Sequence, residues 1–580
     1  MSKKPMTFKE YKKLNLSQIS DEILSYWEDN DIFRKSIEKS NDKNPFIFFE
    51  GPPSANGLPG IHHVLARSIK DIFLRYKTMK GYSVQRKAGW DTHGLPVELG
   101  VENALGITKE DIGKKITIED YNNECKKAVM KYTDIWNDLT KKMGYWVDVD
   151  NPYITYTPKY MESVWWLLKE IYNKDLMYKG YTIQPYSPKA GTAISSHELN
   201  QPGTYQDVTD TTVTAQFKLK KEELPKFLNS DDDIFVLAWT TTPWTLPSNT
   251  ALTVGPKINY SLIKSFNQYT GLRADYIVAE DLISKQFSGN YYETSDLDEI
   301  NKYEFDSKQI PFLKISTFKG KDLENIQYEQ LLDYAKPFDN PENAFRIITG
   351  DFVTTSDGTG IVHTAPTFGA DDAFVAKNAK PPIPPMLVKD EFGDLVPLVD
   401  LQGKFRPEMD EFSGKFVKNE YYDSKSIPEK SVDVEIAIKL KIENKAFRVE
   451  KYKHSYPNCW RTDKPILYYP IDSWFISASK YRNKMVLLNK KINWKPKSTG
   501  EGRFEKWLEN VNDWNLSRSR FWGIPLPIWR TEDGSEEVCI GSVKELCEEI
   551  NKSIGVGFME EHPLKAVSYT HLTLPTNREV

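Results

Sequence analysis

Residues 46–98 constrain this chain more than any other stretch. They read FIFFEGPPSANGLPGIHHVLARSIKDIFLRYKTMKGYSVQRKAGWDTHGLPVE. An apolar run at 46–49 stops at Gly51-Pro52-Pro53, after which Leu65, Ile69, Ile72, Phe73 and Tyr76 recur at helical spacing. That pattern predicts strand, turn and helix. Gly60-Ile61-His62-His63 falls at the expected helix start, where free backbone N–H groups and the helix dipole favour an anion. A nucleotide phosphate fits such a place, with the loop from Gly51 through Pro52, Pro53 and Asn56 to Gly57 as its cradle. The same histidines, read alone, also serve as ordinary polar residues at a helix start.

At 580 residues the chain exceeds single-core size, and roughly 150 residues per domain suggests about four domains, or fewer if one is large. No apolar run approaches the ~18–20 residues that span a bilayer. The first residues carry lysines but no apolar segment behind them, so neither a secretory signal nor a transit peptide is expected, and the chain reads as cytoplasmic. The four cysteines, Cys125, Cys459, Cys539 and Cys547, form no C-x-x-C pair, which argues for reduced thiols and against a disulfide framework or a zinc knuckle. No metal ligand set is expected. A net charge of −5 is not the global footprint of a nucleic-acid binder. Contacts with nucleic acid would therefore use local patches such as Lys126-Lys127 or Lys141-Lys142, pairs that more often just face solvent, or depend on a domain not in this chain.

Along the chain, 1–45 reads as a helical extension, with Ile19, Ile23, Leu24, Tyr26, Trp27, Ile32 and Phe33 on apolar faces. Residues 46–186 read as half of a nucleotide-binding α/β fold, with helices over 121–143 and 158–173. In the first helix Val129, Met130, Tyr132, Ile135, Trp136 and Leu139 are core positions. From about 187 to 432 the style changes to β-rich segments such as TYQDVTDTTVTAQFKL and IFVLAWTTTPWTL, which suit the short strands of an antiparallel barrel or sandwich. Residues 433–565 return to α/β content. The last stretch, 566–580, continues no pattern and reads as a foreign tail.

Two elements of the β-rich insertion carry chemistry. One is WTTTPWTLPSN at 239–249, with Thr240, Thr241, Thr242, Thr245 and Asn249; the other is GTGIVHTAPTFGADD, with His363 and Asp372. Threonine runs are usually strand formers and a lone histidine is usually a satisfied core or loop residue. Together, hydroxyls, an imidazole and a carboxylate have the chemistry to hold an ester and a water. In the first half, Asp91 within GWDTHGLP (89–96) is a carboxylate in a turn, a natural partner for an ammonium group, or else the cap of a helix beginning near Leu95.

These stretches resemble the class I aminoacyl-tRNA synthetases, and GWDTHGLP and HSYPNCWR resemble the isoleucyl members more than the valyl or leucyl ones. The resemblance implies a Rossmann-type catalytic domain interrupted by a large β-rich editing (connective peptide) domain. It also implies ATP-dependent activation of isoleucine, transfer to its tRNA and hydrolytic editing of valyl-tRNA. ATP and Mg²⁺ are then expected, with isoleucine and its acceptor tRNA as partners, no membrane, and a monomeric state. In the family the second His of a His-x-Gly-His element stabilises developing phosphate charge; His63 stands there, while Gly60 takes the place of the first His and His62 that of the Gly. Asp91 corresponds to the residue that binds the ammonium of isoleucine, and Gly51 and Pro52 to residues beside its side chain. Thr240, Thr241, Thr242, Asn249, His363 and Asp372 match the editing site. The family's later Trp-Phe-Asp-Ser-Gly, Glu-Gly-x-Asp-Gln and Lys-Met-Ser-Lys-Ser elements are not in this sequence, so the chain is expected to be an N-terminal portion ending before that loop. A valyl- or leucyl-type enzyme, or a non-catalytic tRNA-binding fragment on the same scaffold, are the alternatives.

Overall fold

The structure, a computed structural model, describes residues 13–559 except 40, 49, 222–223, 306, 392, 518–519 and 532–533. The segment 566–580, expected to be a foreign tail, lies outside the described residues. The chain divides into two compact units: Met1–Tyr178 with Ile476–Asn512 and Arg520–Val580, and Lys179–Phe475 with Asp513–Ser519.

The first unit opens with α1 (Leu16–Asp29) and α2 (Ile32–Glu38). Neither helix buries a residue fully. They pack through Trp27 and Phe33, whose rings lie 5.1 and 6.0 Å from that of Trp146. The strand comes earlier than the apolar run predicts: β1 (Asn41–Pro45) pairs in parallel with β2 (Tyr82–Ser83), and pairing ends where the Phe46 N–H donates to Ser83 O at 2.9 Å. Residue 49 of that run is not among the described ones. Between these strands lies α3 (Ile61–Met79), which buries Arg67 and Leu74. The apolar residues that predicted this helix face outward, Leu65 at 64% and Phe73 at 58% exposed, with Ile69, Ile72 and Tyr76 also exposed. The period marks a helix correctly, but among the described residues nothing covers that face.

β3 (Lys87–Trp90) pairs in parallel with β4 (Asp148–Ile154). Between them come α4 (Leu95–Leu105), α5 (Ile118–Val129) and α6 (Thr133–Lys142), and α7 (Pro158–Tyr172) follows. The single helix expected over 121–143 is thus two. The break falls where the Tyr132 N–H leaves the helical ladder to donate to Ala55 O at 3.2 Å, and where Trp136 Nε1 donates to Gly57 O at 2.8 Å. The loop after β1 therefore takes the Tyr132 N–H that a continuous helix would have used internally, and the indole N–H of Trp136 beside it. Val129 and Trp136 are buried as expected, whereas Ile135 is exposed. Val97, Val101, Tyr121, Cys125, Val129 and Trp522 form one core of this unit.

The second unit begins along β5 (Met177–Ser187), which pairs with β6 (Thr192–Ala193). Its main sheet contains β7 (Tyr205–Lys218), β8 (Ile234–Thr240), β9 (Ala251–Val254), β10 (Asn259–Phe266), β11 (Arg273–Ala279), β12 (Tyr291–Glu293), β13 (Ile310–Lys319), β14 (Arg346–Thr349) and β15 (Ile361–Thr364). The order is β12-β13-β10-β11-β8-β15-β9-β14, with β7 also on β8. In place of the expected antiparallel barrel or sandwich the sheet is mixed, because β8 has parallel neighbours in β11 and β15 and an antiparallel one in β7. β8 is buried at all but one of its positions, the setting in which parallel pairing is found. Phe217, Tyr260, Tyr276 and Phe447 are fully buried in its core.

This unit runs past the boundary expected at 432. After the hairpin β16 (Leu387–Lys389) and β17 (Leu395–Pro397), the helix Val432–Ile442 leads into β18 (Ala446–Cys459). β18 pairs antiparallel with β7 from Ala446↔Ala215 to Pro457↔Tyr205. Residues whose composition reads as α/β are thus tied by a long ladder to the β-rich unit.

Candidate functional site

In the first unit the loop 51–57 and the start of α3 are held by the helices behind them. Asp91 N–H donates to Pro53 O at 3.0 Å, and Ser54 Oγ lies 2.9 Å from Asn56 Oδ1. Ala55, Trp90 and Trp136 pack together. Gly51 and Gly57 are exposed at the edge of this loop, and Pro52, Pro53 and Asn56 are part-buried.

Gly60 is the N-cap of α3. Its N–H donates to His63 Nδ1 at 2.9 Å, and the His63 N–H donates back to Gly60 O at 3.0 Å. Because Nδ1 accepts, the proton of the neutral ring sits on Nε2, which is free to donate to an anion. Burial, with help from the neighbouring His62 and Arg67, pushes the His63 imidazole below its usual range, so the neutral form persists at pH 7. The exchange of Gly and His relative to the family pattern has a steric counterpart. A Cβ on residue 60 would come within 2.8 Å of the His62 ring, so the imidazole of His62 fills the space a side chain at 60 would take. The two histidine rings, of His62 and His63, lie 3.8 Å apart.

Asp91 is exposed and does not cap α4, whose N-cap is Gly94 with no side-chain hydrogen bond. Desolvation raises its carboxyl above the usual range against the pull of the His93 N–H. The loop that carries it is fixed from the far end of the unit: Trp522 Nε1 donates to Thr92 O at 2.7 Å, and the Thr92 N–H donates to Thr155 Oγ1 at 3.0 Å. Arg520 bridges the buried Glu98 and Glu102 at 3.0 and 2.8 Å.

In the second unit β8 ends at Thr240, and a turn of 3₁₀ helix, Pro243–Ser248, carries Thr245 inward. β15 brings His363 to meet it. Thr245 Oγ1 is 3.0 Å from His363 Nε2, and Asn249 Nδ2 is 2.9 Å from His363 Nδ1. The amide nitrogen donates, so Nδ1 accepts and Nε2–H donates to Thr245, whose hydroxyl in turn donates to Thr242 O at 2.8 Å. Burial pushes the His363 imidazole down to about 3. The ring is therefore neutral and committed at both nitrogens, an orienting group and not a base. Thr240 and Thr242 hydroxyls are 3.3 Å apart beside Thr245, and Thr241 is part-buried next to them.

Asp372 lies in the first turn of the helix Ala370–Asn378. Its Oδ2 accepts the Ala365 N–H at 2.8 Å, two residues beyond His363 in the chain. A Cβ on Gly369 would stand 2.5 Å from that oxygen, so glycine there is what lets the carboxylate fold back. Burial raises Asp372 to about 6. Such a carboxylate gains most from a cationic ligand that restores its charged form.

The family described as tRNA synthetases class I (I, L, M and V) matches residues 22–566. The chain belongs to that family. This synthetase chain is 57% identical over 581 aligned residues to an isoleucine–tRNA ligase of Bacteroides fragilis, covering 97% of this chain and 50% of that protein. It is 58% identical to one of Cytophaga hutchinsonii, covering 94% and 49%, and 44% identical to one of Clostridium tetani, covering 93% and 46%. The synthetase chain thus spans about half the length of the curated relatives it matches.

Three residues that support these candidate sites carry no signal in the sequence. Tyr328 O–H donates to Asn249 Oδ1 at 2.6 Å, Asp433 Oδ1 accepts the Trp244 N–H at 2.9 Å, and Arg520 steadies the Asp91 loop through Glu98. Each reaches its partner across a long stretch of sequence, and none sits in a recognisable spacing.

Proposed function

We propose that the chain is the N-terminal portion of an isoleucine–tRNA ligase, its first unit built to activate isoleucine with ATP and its second to hydrolyse misacylated valyl-tRNA. The partners of this reading are isoleucine, its acceptor tRNA and ATP with Mg²⁺, in a cytoplasmic monomer. Among the described residues no group of three or more His, Cys, Asp or Glu could hold a metal ion, so in this reading magnesium arrives on the nucleotide phosphates and no step is assigned to it. No described helix is long and apolar enough to cross a membrane.

At the first site a carboxylate oxygen of isoleucine attacks the α-phosphorus and pyrophosphate leaves. The Nε2–H of His63 and the free N–H groups at the start of α3 donate to the phosphate oxygens as charge moves onto them. Asp91 holds the ammonium group, and the loop from Gly51 to Gly57 lines the nucleotide and amino acid. One missing methylene changes binding by only ~1–3 kcal/mol, a limit for which discrimination of valine by isoleucyl enzymes is the standard example, so valine enters and must be removed afterwards.

At the second site water attacks the ester carbonyl and the tRNA 3′-terminal hydroxyl leaves. Asp372 takes the ammonium of the aminoacyl group, while Thr240, Thr241, Thr242 and Thr245 shape a pocket that His363 and Asn249 hold rigid. The observation that carries the reading is the convergence of Thr245, Asn249 and His363 from two separate motifs, with Asp372 anchored to the strand end that follows His363. Asp372→Ala is the test: loss of valyl-tRNA hydrolysis by a chain that still melts in a cooperative transition is expected, and hydrolysis at the parent rate would refute the assignment.

A further inference from the structure

The 3₁₀ turn Pro243–Ser248 has no side-chain cap of its own. Backbone N–H groups at the start of such a turn have no partner within it, and that of the buried Trp244 would be left bare. It is met from elsewhere in the unit. Asp433, in the first turn of the helix Val432–Ile442, reaches across and accepts it on Oδ1 at 2.9 Å. The other oxygen, Oδ2, faces Lys418 Nζ at 3.9 Å.

Lys418 is itself buried and fixed. Its Nζ donates to Asp210 Oδ2 at 3.1 Å and lies 4.8 Å from the centre of the Tyr456 ring. His454 Nε2 is 3.2 Å from the same Asp210 oxygen. Asp210 belongs to β7, and His454 and Tyr456 to β18, so the carboxylate of Asp433 is registered against the longest ladder of the sheet. Asp433, Asp210 and Lys418 bring two acids to one base, an arrangement whose Coulomb attraction in a dry interior favours a single geometry.

What this geometry fixes is the turn that carries the hydroxyls. Trp244 directly precedes Thr245, whose Oγ1 meets His363 and donates to the carbonyl of Thr242, two residues before Trp244. We propose that Asp433, backed by Lys418, is a positioning residue for the hydrolytic site: it locks the turn at Trp244 so that Thr242 and Thr245 stand in register with His363. The proposal rests on the reading of the second unit as a deacylase. Burying an acid and a base to hold one backbone N–H is a poor way to gain stability, since well-packed apolar residues do as well; it is a good way to fix a register.

The test is steady-state hydrolysis of valyl-tRNA by the 580-residue chain and its Asp433→Ala and Asp433→Asn variants, each assayed well below its own melting midpoint. Displacing a catalytic turn typically costs about 10- to 100-fold in rate, so Asp433→Ala is expected to lose kcat on that scale with KM within about twofold. Asp433→Asn, whose Oδ1 accepts the same N–H, is expected to retain kcat within about threefold of the parent. Should the alanine variant not fold, Asp433→Ser, too short to reach Trp244 but still polar in the first helical turn, takes its place with the same expectation. An alanine or serine variant at the parent kcat, or an asparagine variant as impaired as they are, would overturn the positioning role. An inert parent chain would instead refute the deacylase reading beneath it.

Discussion

Thr245 Oγ1 lies 3.0 Å from His363 Nε2, although the two residues come from separate motifs, one on a 3₁₀ turn after β8 and one on β15. With Nδ1 already accepting from Asn249, the imidazole has a single tautomer and a single orientation.

A first consequence concerns pH. Asp372 is raised by burial from 3.8 to about 6, and His363 is lowered to about 3. An ammonium ligand needs the carboxylate, so valyl-tRNA hydrolysis should rise as pH increases through about 6 and show no further inflection from His363 at higher pH. Because the folded-state value of Asp372 is raised, its contribution to stability is fully present below about 4 and is lost as pH rises through about 6. Asp372→Asn should therefore stabilise the chain more at about pH 7.5 than at about pH 5, by at most about 3 kcal/mol. Melting curves at the two pH values check this; equal effects at both would contradict it.

Tyr328 is buried and gives its only proton to Asn249 Oδ1. Tyr328→Phe should cost about 1–2 kcal/mol, because it leaves a buried acceptor without its donor. It should also lower the hydrolysis rate less than His363→Ala does, since Asn249 Nδ2 still donates to Ala251 O at 2.8 Å and remains roughly in place. Denaturant titration and the two rates decide the matter.

The first unit depends on Arg520 in a different way. Removing it leaves Glu98 and Glu102 buried without their guanidinium partner, and burial already raises both carboxyls despite it. Arg520→Met should destabilise that unit by about 3–5 kcal/mol. Valyl-tRNA hydrolysis at room temperature should survive, because every residue assigned to it belongs to the second unit. Calorimetry paired with the hydrolysis assay separates the two effects.

The outward face of α3 yields a solubility prediction. Leu65, Ile69, Ile72, Phe73 and Tyr76 form a contiguous apolar stripe of the kind that promotes association. Ile69→Lys with Phe73→Lys should cut binding of a hydrophobic dye and raise the soluble fraction of this chain, with a melting temperature unchanged within error. A large loss of stability would mean that the stripe is packed.

Much of this is legible in the sequence, and the misses share a cause. Apolar periodicity locates α3 and the β-rich region, and the threonine run and the segment carrying His363 hold residues that the fold brings together. Periodicity is a local signal, however. It cannot see that Tyr132 donates to Ala55 and splits a helix, that β18 pairs with β7 and draws residues beyond 432 into the second unit, or that α3 turns its apolar side outward. Tyr328 and Asp433 are invisible to it for the same reason: each serves the site through one hydrogen bond to a residue far away in sequence.

The central claim is that the second unit hydrolyses a misattached valine and spares isoleucine. The direct measurement is hydrolysis of valyl-tRNA against isoleucyl-tRNA, both on the isoleucine acceptor, by the 580-residue chain. The account predicts rapid loss of valine with isoleucine retained. Equal rates for the two esters, or no hydrolysis by a chain shown to be folded, would contradict it.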